Sequence, residues 1–178
     1  MVNVLFKKWN QSHTYYAELA YVWILWRSNS NVSGFVILEL SHTSKLDESS
    51  IKLVQLTDTH LFAPSNGSLL SINTEDSFRA VVDGIVNQGF EYEAVLATGD
   101  ISQDHSAESY QKFEAGIQPL EKPCYWLPGN HDYKPNMGSV IPSAQIQCVE
   151  HVLLGEHWQM ILLDSQVVGV PHGRLSDQ

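Results

Sequence analysis

Ile51-Lys52-Leu53-Val54-Gln55-Leu56-Thr57-Asp58-Thr59-His60 decides the reading of this chain. The apolar run Ile51 to Leu56 predicts a short strand that ends on Thr57-Asp58. The same design recurs twice downstream. Ala94 to Thr98 predicts a strand running into Gly99-Asp100, and Cys124 to Leu127 predicts another that stops at Pro128-Gly129-Asn130-His131. Between the first two strands a helix is expected from Thr74 to Gln88. Asn73 suits its N-cap, Asp76 stands at N3, and Gly89 suits a left-handed stop. Phe78, Val81, Val82 and Ile85 form its apolar face. Ala107 to Ile117 resumes helical spacing, with Tyr110, Phe113 and Ile117 in phase. Later strands are expected at Gln147 to Leu153 and Trp158 to Leu163, joined by a turn at Gly155. Strands alternating with helices predict parallel pairing through crossover helices, hence an α/β domain over 51–178.

Residues 1–50 read differently, as an N-terminal extension of uncertain status. Tyr15, Leu19, Val22 and Trp26 share one face at helical spacing, which allows a short amphipathic helix. The polar stretch Ser41 to Ser50 reads as a linker. The longest apolar run, Leu19 to Trp26, is far shorter than the roughly 20 residues that cross a bilayer, so no membrane span is expected. Lys7 and Lys8 precede that run, but Glu18 interrupts and no clean small-residue cleavage site follows. Cys124 and Cys148 are too few for a disulfide framework; Cys124 is expected to be a buried reduced thiol, which favours the cytoplasm.

The 178-residue chain carries a formal charge of −10. Residues 1–50 are neutral, so the deficit lies wholly in 51–178. Such a domain is a poor partner for nucleic acid, whose binding is driven by clustered Lys and Arg. A small phosphorylated ligand remains compatible where bound cations reverse the local field. The oligomeric state is not legible.

Taken singly, an Asp after a strand is most often a turn former, and a lone His is most often structural. Position changes that weighting. The carboxyl ends of parallel strands lie along one sheet edge, where ligands bind, so Asp58, His60, Asp100, Asn130 and His131 converge. Oxygen donors mixed with imidazole suit Mn, Fe or Zn rather than Ca. An aspartate shared between two cations roughly 3.5–4 Å apart suits two-metal phosphoryl chemistry. Asp104 reads as a supporting or capping group, and His105 as a solvent-facing residue at a helix start. His151 and His157 look structural, His13 and His42 lie outside the domain, and His172 is a candidate substrate contact.

Asp58-Thr59-His60, then Gly99-Asp100, then Gly129-Asn130-His131-Asp132 resembles the calcineurin-like metallophosphoesterase family. The longer segments Leu56–Phe62, Ala97–Asp104, Trp126–Asp132 and Leu163–Gly173 are similar to the bacterial class III cyclic nucleotide phosphodiesterases. The resemblance implies a four-layer α/β/β/α sandwich and hydrolysis of 3′,5′-cyclic AMP to 5′-AMP with two divalent metal ions, Fe or Mn foremost. It implies that Asp58 and His60 hold the first metal, Asp100 bridges both, and Asn130 binds the second and can donate to the phosphate. His131 is then the general acid at the leaving oxygen, with Asp132 helping to orient it. His60, Asp100, Asn130 and His131 face the substrate. The implied reaction is in-line attack of hydroxide on the cyclic phosphodiester.

The family pattern also has a later His and a Gly-His-x-His turn, and neither occurs here. The chain is therefore expected to be the N-terminal half of such a domain, with the second sheet largely missing and one face of the first sheet uncovered. Alone it is expected to bind the second metal weakly and turn over little. Two other readings stay open: a calcineurin-like phosphomonoesterase, nucleotidase or nuclease, and a non-catalytic metal-binding or interaction protein.

Overall fold

The computed structural model describes residues 3–8, 19–22, 35–44, 47–140, 143–155 and 158–175, with side chains from Ile51 onward. Eleven strands and three α-helices are seen among them. The strands are β1 (Asn3–Lys8), β2 (Leu19–Val22), β3 (Phe35–Ser44), β4 (Asp47–Leu56), β5 (Ser68–Leu69), β6 (Ile72–Asn73), β7 (Ala94–Thr98), β8 (Cys124–Leu127), β9 (Ile146–Gln147), β10 (His151–Leu154) and β11 (Trp158–Leu163). The helices are α1 (Thr74–Gln88), α2 (Ala107–Ile117) and α3 (Lys134–Val140).

A six-stranded sheet has the order β2-β3-β4-β7-β8-β9. Its β4, β7, β8 and β9 run parallel, as the alternation of strands and helices requires. Strand β7 is central and buried along its whole length, which explains its apolar run Ala94 to Ala97. Side chains alternate between the two faces of this sheet. Val54, Val95, Ala97, Cys124 and Trp126 point to one core with Phe78, Val82, Ile85, Tyr110 and Phe113 of the helices. Leu53, Ala94, Leu96 and Leu127 point to a second core.

Helix α1 has the bounds that its end signals dictate. The Asn73 side chain accepts from Asp76 N–H, and Gly89 stops the helix at φ 61°. Helix α2 starts at Ser106, whose side chain accepts from Ser109 N–H. The buried residues of both helices include every one predicted. Cys124 is fully buried, and burial pushes its thiol up to about 12.

The second sheet, β1-β11-β10, is antiparallel and has three strands among the described residues, consistent with a truncated sandwich. The expected bare face does not hold. Leu154, Trp158, Met160 and Leu162 cover it. Gln147 also moves: it belongs to β9 on the first sheet rather than to one strand with Val152 and Leu153.

Residues 1–50 depart from expectation where they are described. Leu19–Val22 is a strand on β3, not part of a helix, and Tyr15 and Trp26 lie outside the described residues. Four residues of Leu-Ala-Tyr-Val serve either state, and partner pairing decides between them. Ser41–Ser44 and Asp47–Ser50 are not a linker but the paired arms of a β3–β4 hairpin, with Ser41 opposite Ser50 and Thr43 opposite Glu48. Polar composition alone does not reveal such a pairing. His13 and His157 lie outside the described residues.

Candidate metal centre

The loops after β4 and β7 continue the parallel ladder beyond the strands themselves. Asp58 N–H donates to Gly99 O at 3.1 Å, His60 N–H to Asp100 O at 2.9 Å, and Leu61 N–H to Ile101 O at 2.8 Å. Gln103 N–H returns to Leu61 O at 2.8 Å. The Thr59 hydroxyl adds a bond to Ile101 O, and Leu61 and Ile101 anchor the loops in the core. This lacing holds three non-glycine residues in the left-handed region: Asp58 at φ 56°, His60 at 44° and Asp100 at 50°. Each such conformation costs about 1–2 kcal/mol and persists only where neighbours over-determine it. Here it turns two carboxylates and an imidazole toward one point.

The ligating atoms of Asp58, His60 and Asp100 lie within 4.8 Å of one another. His60 Nε2 stands 3.7 Å from Asp58 Oδ1, a separation that two donors on one cation have when each bond is roughly 2.0–2.2 Å. His60 Nδ1 is buried without a hydrogen-bond partner. A half-buried imidazole with one orphaned, buried nitrogen and two adjacent carboxylates fits a divalent cation. Among the described residues this is the one such acidic and imidazole cluster.

Contact between backbones brings the loop after β8 into the same place. A Cβ on Gly99 would lie 2.7 Å from Gly129 Cα, and one on Gly129 would lie 2.1 Å from Asp100 Oδ1 and 2.3 Å from Asp100 N. His131 N–H donates to Asp100 Oδ1 at 2.9 Å. The His131 ring meets the His60 ring edge-on, with centroids 5.2 Å apart. Asn130, half-buried, lies between Gly129 and His131. All five residues predicted to converge thus belong to three loops that touch.

Asp132 has a different partner set from the one expected. Its carboxylate accepts from the N–H groups of Ile101, Ser102 and Gly129 at 2.8–3.3 Å and from the Tyr110 hydroxyl at 3.3 Å, rather than from the His131 ring. Burial pushes this carboxyl above the usual range, opposed by the amides. Asp132 therefore ties the β8 loop to the β7 loop and to α2, and bears on His131 only through the backbone.

Two glutamines were given no role by the sequence. Gln103 Nε2 lies 3.4 Å from His131 Nδ1. Gln166, after β11, donates through Nε2 to Gly129 O at 2.6 Å and to Asp132 O at 2.7 Å. Both sit inside the family-like segments, three residues after Asp100 and three after Leu163, and that position was the available signal. Asp104 is a loop brace, accepting from Ala63 N–H and from Ser106 N–H and Oγ–H. His105, His151 and His172 are exposed.

Asp58 and His60 shift each other in opposite directions. The pairing with His60 holds the Asp58 carboxyl below its ordinary value, and the pairing with Asp58 raises His60, against an opposing effect of burial. In the metal-free chain the charged pair is complete only between the two values. The Asp58 contribution is lost as pH falls through its depressed value, and that of His60 as pH rises through its raised one. A cation must displace the His60 proton. Mn2+ affinity, measured by isothermal titration, should therefore rise with pH from below about 6.5 and level off only above the raised His60 value. A flat profile across that range would remove His60 from the ligand set.

Comparison with known proteins settles the family. Residues 51–176 match the family model of the calcineurin-like phosphoesterases. The chain belongs to the calcineurin-like phosphoesterase family. It is 67% identical over 141 residues to the 3′,5′-cyclic adenosine monophosphate phosphodiesterase CpdA of Vibrio vulnificus, covering 78% of this chain and 52% of that protein. It is 48% identical over 130 residues to the Escherichia coli K12 protein of the same name, covering 73% and 47%. A third relative of that name, from Haemophilus influenzae, is 48% identical over 126 residues, covering 71% and 46%. The chain spans about half the length of these relatives. As a calcineurin-like phosphoesterase it has the Asp58, His60 and Asp100 group where a divalent metal could sit. No helix among its described residues is long and apolar enough to cross a membrane.

Proposed function

We propose that this chain is the N-terminal half of a metal-dependent phosphodiesterase that hydrolyses 3′,5′-cyclic AMP to 5′-AMP. The carrying observation is the convergence of Asp58, His60, Asp100 and His131 at the carboxyl edge of a parallel sheet. The printed names of the three relatives support the substrate. In this reading Asp58 and His60 hold one divalent cation, Asp100 is shared, and Asn130 serves a second. Iron or manganese suits the mixed oxygen and imidazole donors. When bound, the cations supply positive charge against the phosphoryl oxygens and lower the pKa of water.

His131 delivers a proton to the 3′ oxygen as it leaves, and Gln103 is within reach to hold its ring. Asp132 and Gln166 keep the loop carrying His131 in place. The similarity to the Vibrio vulnificus protein covers 78% of the chain, a larger share than residues 51–178 make up, which supports including part of the β3–β4 hairpin in the domain. Two unpaired thiols, Cys124 and Cys148, support a reducing, cytoplasmic setting.

The test joins residues 1–178 to the part of the Vibrio vulnificus relative that the similarity does not cover. With Mn2+ the chimera should convert cyclic AMP to 5′-AMP, faster than bis-nitrophenyl phosphate or a phosphomonoester. His131→Ala should lower turnover by about 10²–10⁴-fold while sparing metal content. Residues 1–178 alone should bind one Mn2+ well and turn over little. Two tightly bound metals and full cyclic AMP turnover in the isolated chain would overturn the half-domain reading. A chimera preferring the phosphomonoester would overturn the substrate.

A further inference from the structure

Between the loop that carries Asp58 and the start of α1, the chain forms the two-stranded β5–β6 hairpin, with Leu70-Ser71 as its turn. Both turn residues have positive φ, 50° and 68°. A two-residue turn of this kind ordinarily takes Asn-Gly or Gly-Gly, which adopt the left-handed region without strain. Leucine there is costly, and it is also 78% exposed, so burial does not compensate. Local disorder does not account for it, because the hairpin is firmly rooted. Thr74 N–H donates to Gly67 O, the Asn73 amide donates to Ser65 O, and Gly67 packs so closely on Phe62 that a Cβ would lie 2.3 Å from its Cβ. A strained and rigidly presented apolar side chain in water is a feature that function explains better than stability does.

Its neighbours say which function. A small cleft is lined jointly by Leu69, Leu70 and Ile72 of the hairpin and by Asp58, Thr59 and His60. The cleft therefore sets two residues of the candidate metal centre, Asp58 and His60, beside a small apolar wall. A ligand whose phosphate is drawn to Asp58 and His60 through a cation has its organic substituent beside that wall. We infer that the Leu70 tip of the β5–β6 hairpin is the contact for the nucleobase of the substrate, packing against its face and selecting nucleotides over phosphate esters without a flat apolar group. This rests on the nucleotide reading above. The chemistry is the common one of ligand clefts: few polar groups fix the phosphate, and apolar surface supplies the remaining affinity.

The experiment uses the 178-residue chain loaded with Mn2+ and compares 5′-AMP with inorganic phosphate by isothermal titration. The two probes share the phosphate and differ by the nucleoside. Parent chain should bind 5′-AMP more tightly than phosphate. Leu70→Ala should weaken 5′-AMP by about tenfold and leave phosphate within about twofold, while Leu70→Phe should retain 5′-AMP binding. The exposed side chain leaves no core cavity, and unchanged circular dichroism checks this. If Leu70→Ala leaves 5′-AMP binding unchanged, or weakens phosphate by the same factor, the inference is overturned and the nucleotide reading stands. If the parent binds 5′-AMP no more tightly than phosphate, both are overturned.

Discussion

Asp132→Ala should cost this chain about 3–4 kcal/mol of stability, read as a lower urea midpoint at unchanged slope. The magnitude follows from what the substitution leaves behind. Two buried N–H groups, those of Ile101 and Ser102, the half-buried N–H of Gly129, and the Tyr110 hydroxyl all point at the Asp132 carboxylate. Each donor left unsatisfied costs about 1–3 kcal/mol. The sum is reduced because the carboxylate is itself expensive to bury, as the upward push on its pKa shows. Asp132→Asn keeps an acceptor for part of the set and should lose about 1–2 kcal/mol. A loss under about 1 kcal/mol for Asp132→Ala would mean that the three loops hold together by other means.

Gly129→Ala should lower metal affinity by more than about 100-fold, beyond the range typical for disturbing a ligand's supporting partner. The added methyl would meet Asp100 Oδ1 at 2.1 Å and Asp100 N at 2.3 Å. A side chain could rotate away, but a backbone nitrogen cannot. The ends of β7 and β8 must separate, at an overpacking cost of about 1–3 kcal/mol, and Asp100 leaves its place opposite Asp58 and His60. Gly138→Ala is the control. It lies in α3 with nothing within 4 Å of the added atom, and should stabilise by about 0.5–1 kcal/mol. Titration with Mn2+ beside urea melts separates the two effects, and normal metal binding by Gly129→Ala would refute the close approach.

The parts of this molecule legible in its sequence are those written locally. The bounds of α1 follow from Asn73 and Gly89, and its buried face from the spacing of Phe78, Val81, Val82 and Ile85. Asp58, His60 and Asp100 could be brought together because strand ends on a parallel sheet share an edge. What sequence reading missed was written in pairings. Strand β1 pairs with β11 about 150–160 residues away, which no window of composition reports, and the nearby β3–β4 hairpin is masked by its polar arms. The β5–β6 hairpin was missed because Leu70-Ser71 lacks the glycine or asparagine that advertises such a turn. The amide partners of Asp132 were not legible because backbone amides leave no mark on the sequence.

Gln166 connects the two layers, beside the Lys134–Asp164 ion pair at 2.6 Å. It follows β11 of the second sheet, yet its amide grips Gly129 O and Asp132 O at the end of a strand of the first. These contacts span 37 and 34 residues and need β11 to be docked before they can close. The hold of Gln166 on the loop carrying Asn130 and His131 thus requires the second sheet to be in place. The Asp58, His60 and Asp100 group belongs to the first layer alone, whereas the β8 loop beside it depends on both, so in refolding the closing of that loop should time the docking of one sheet upon the other.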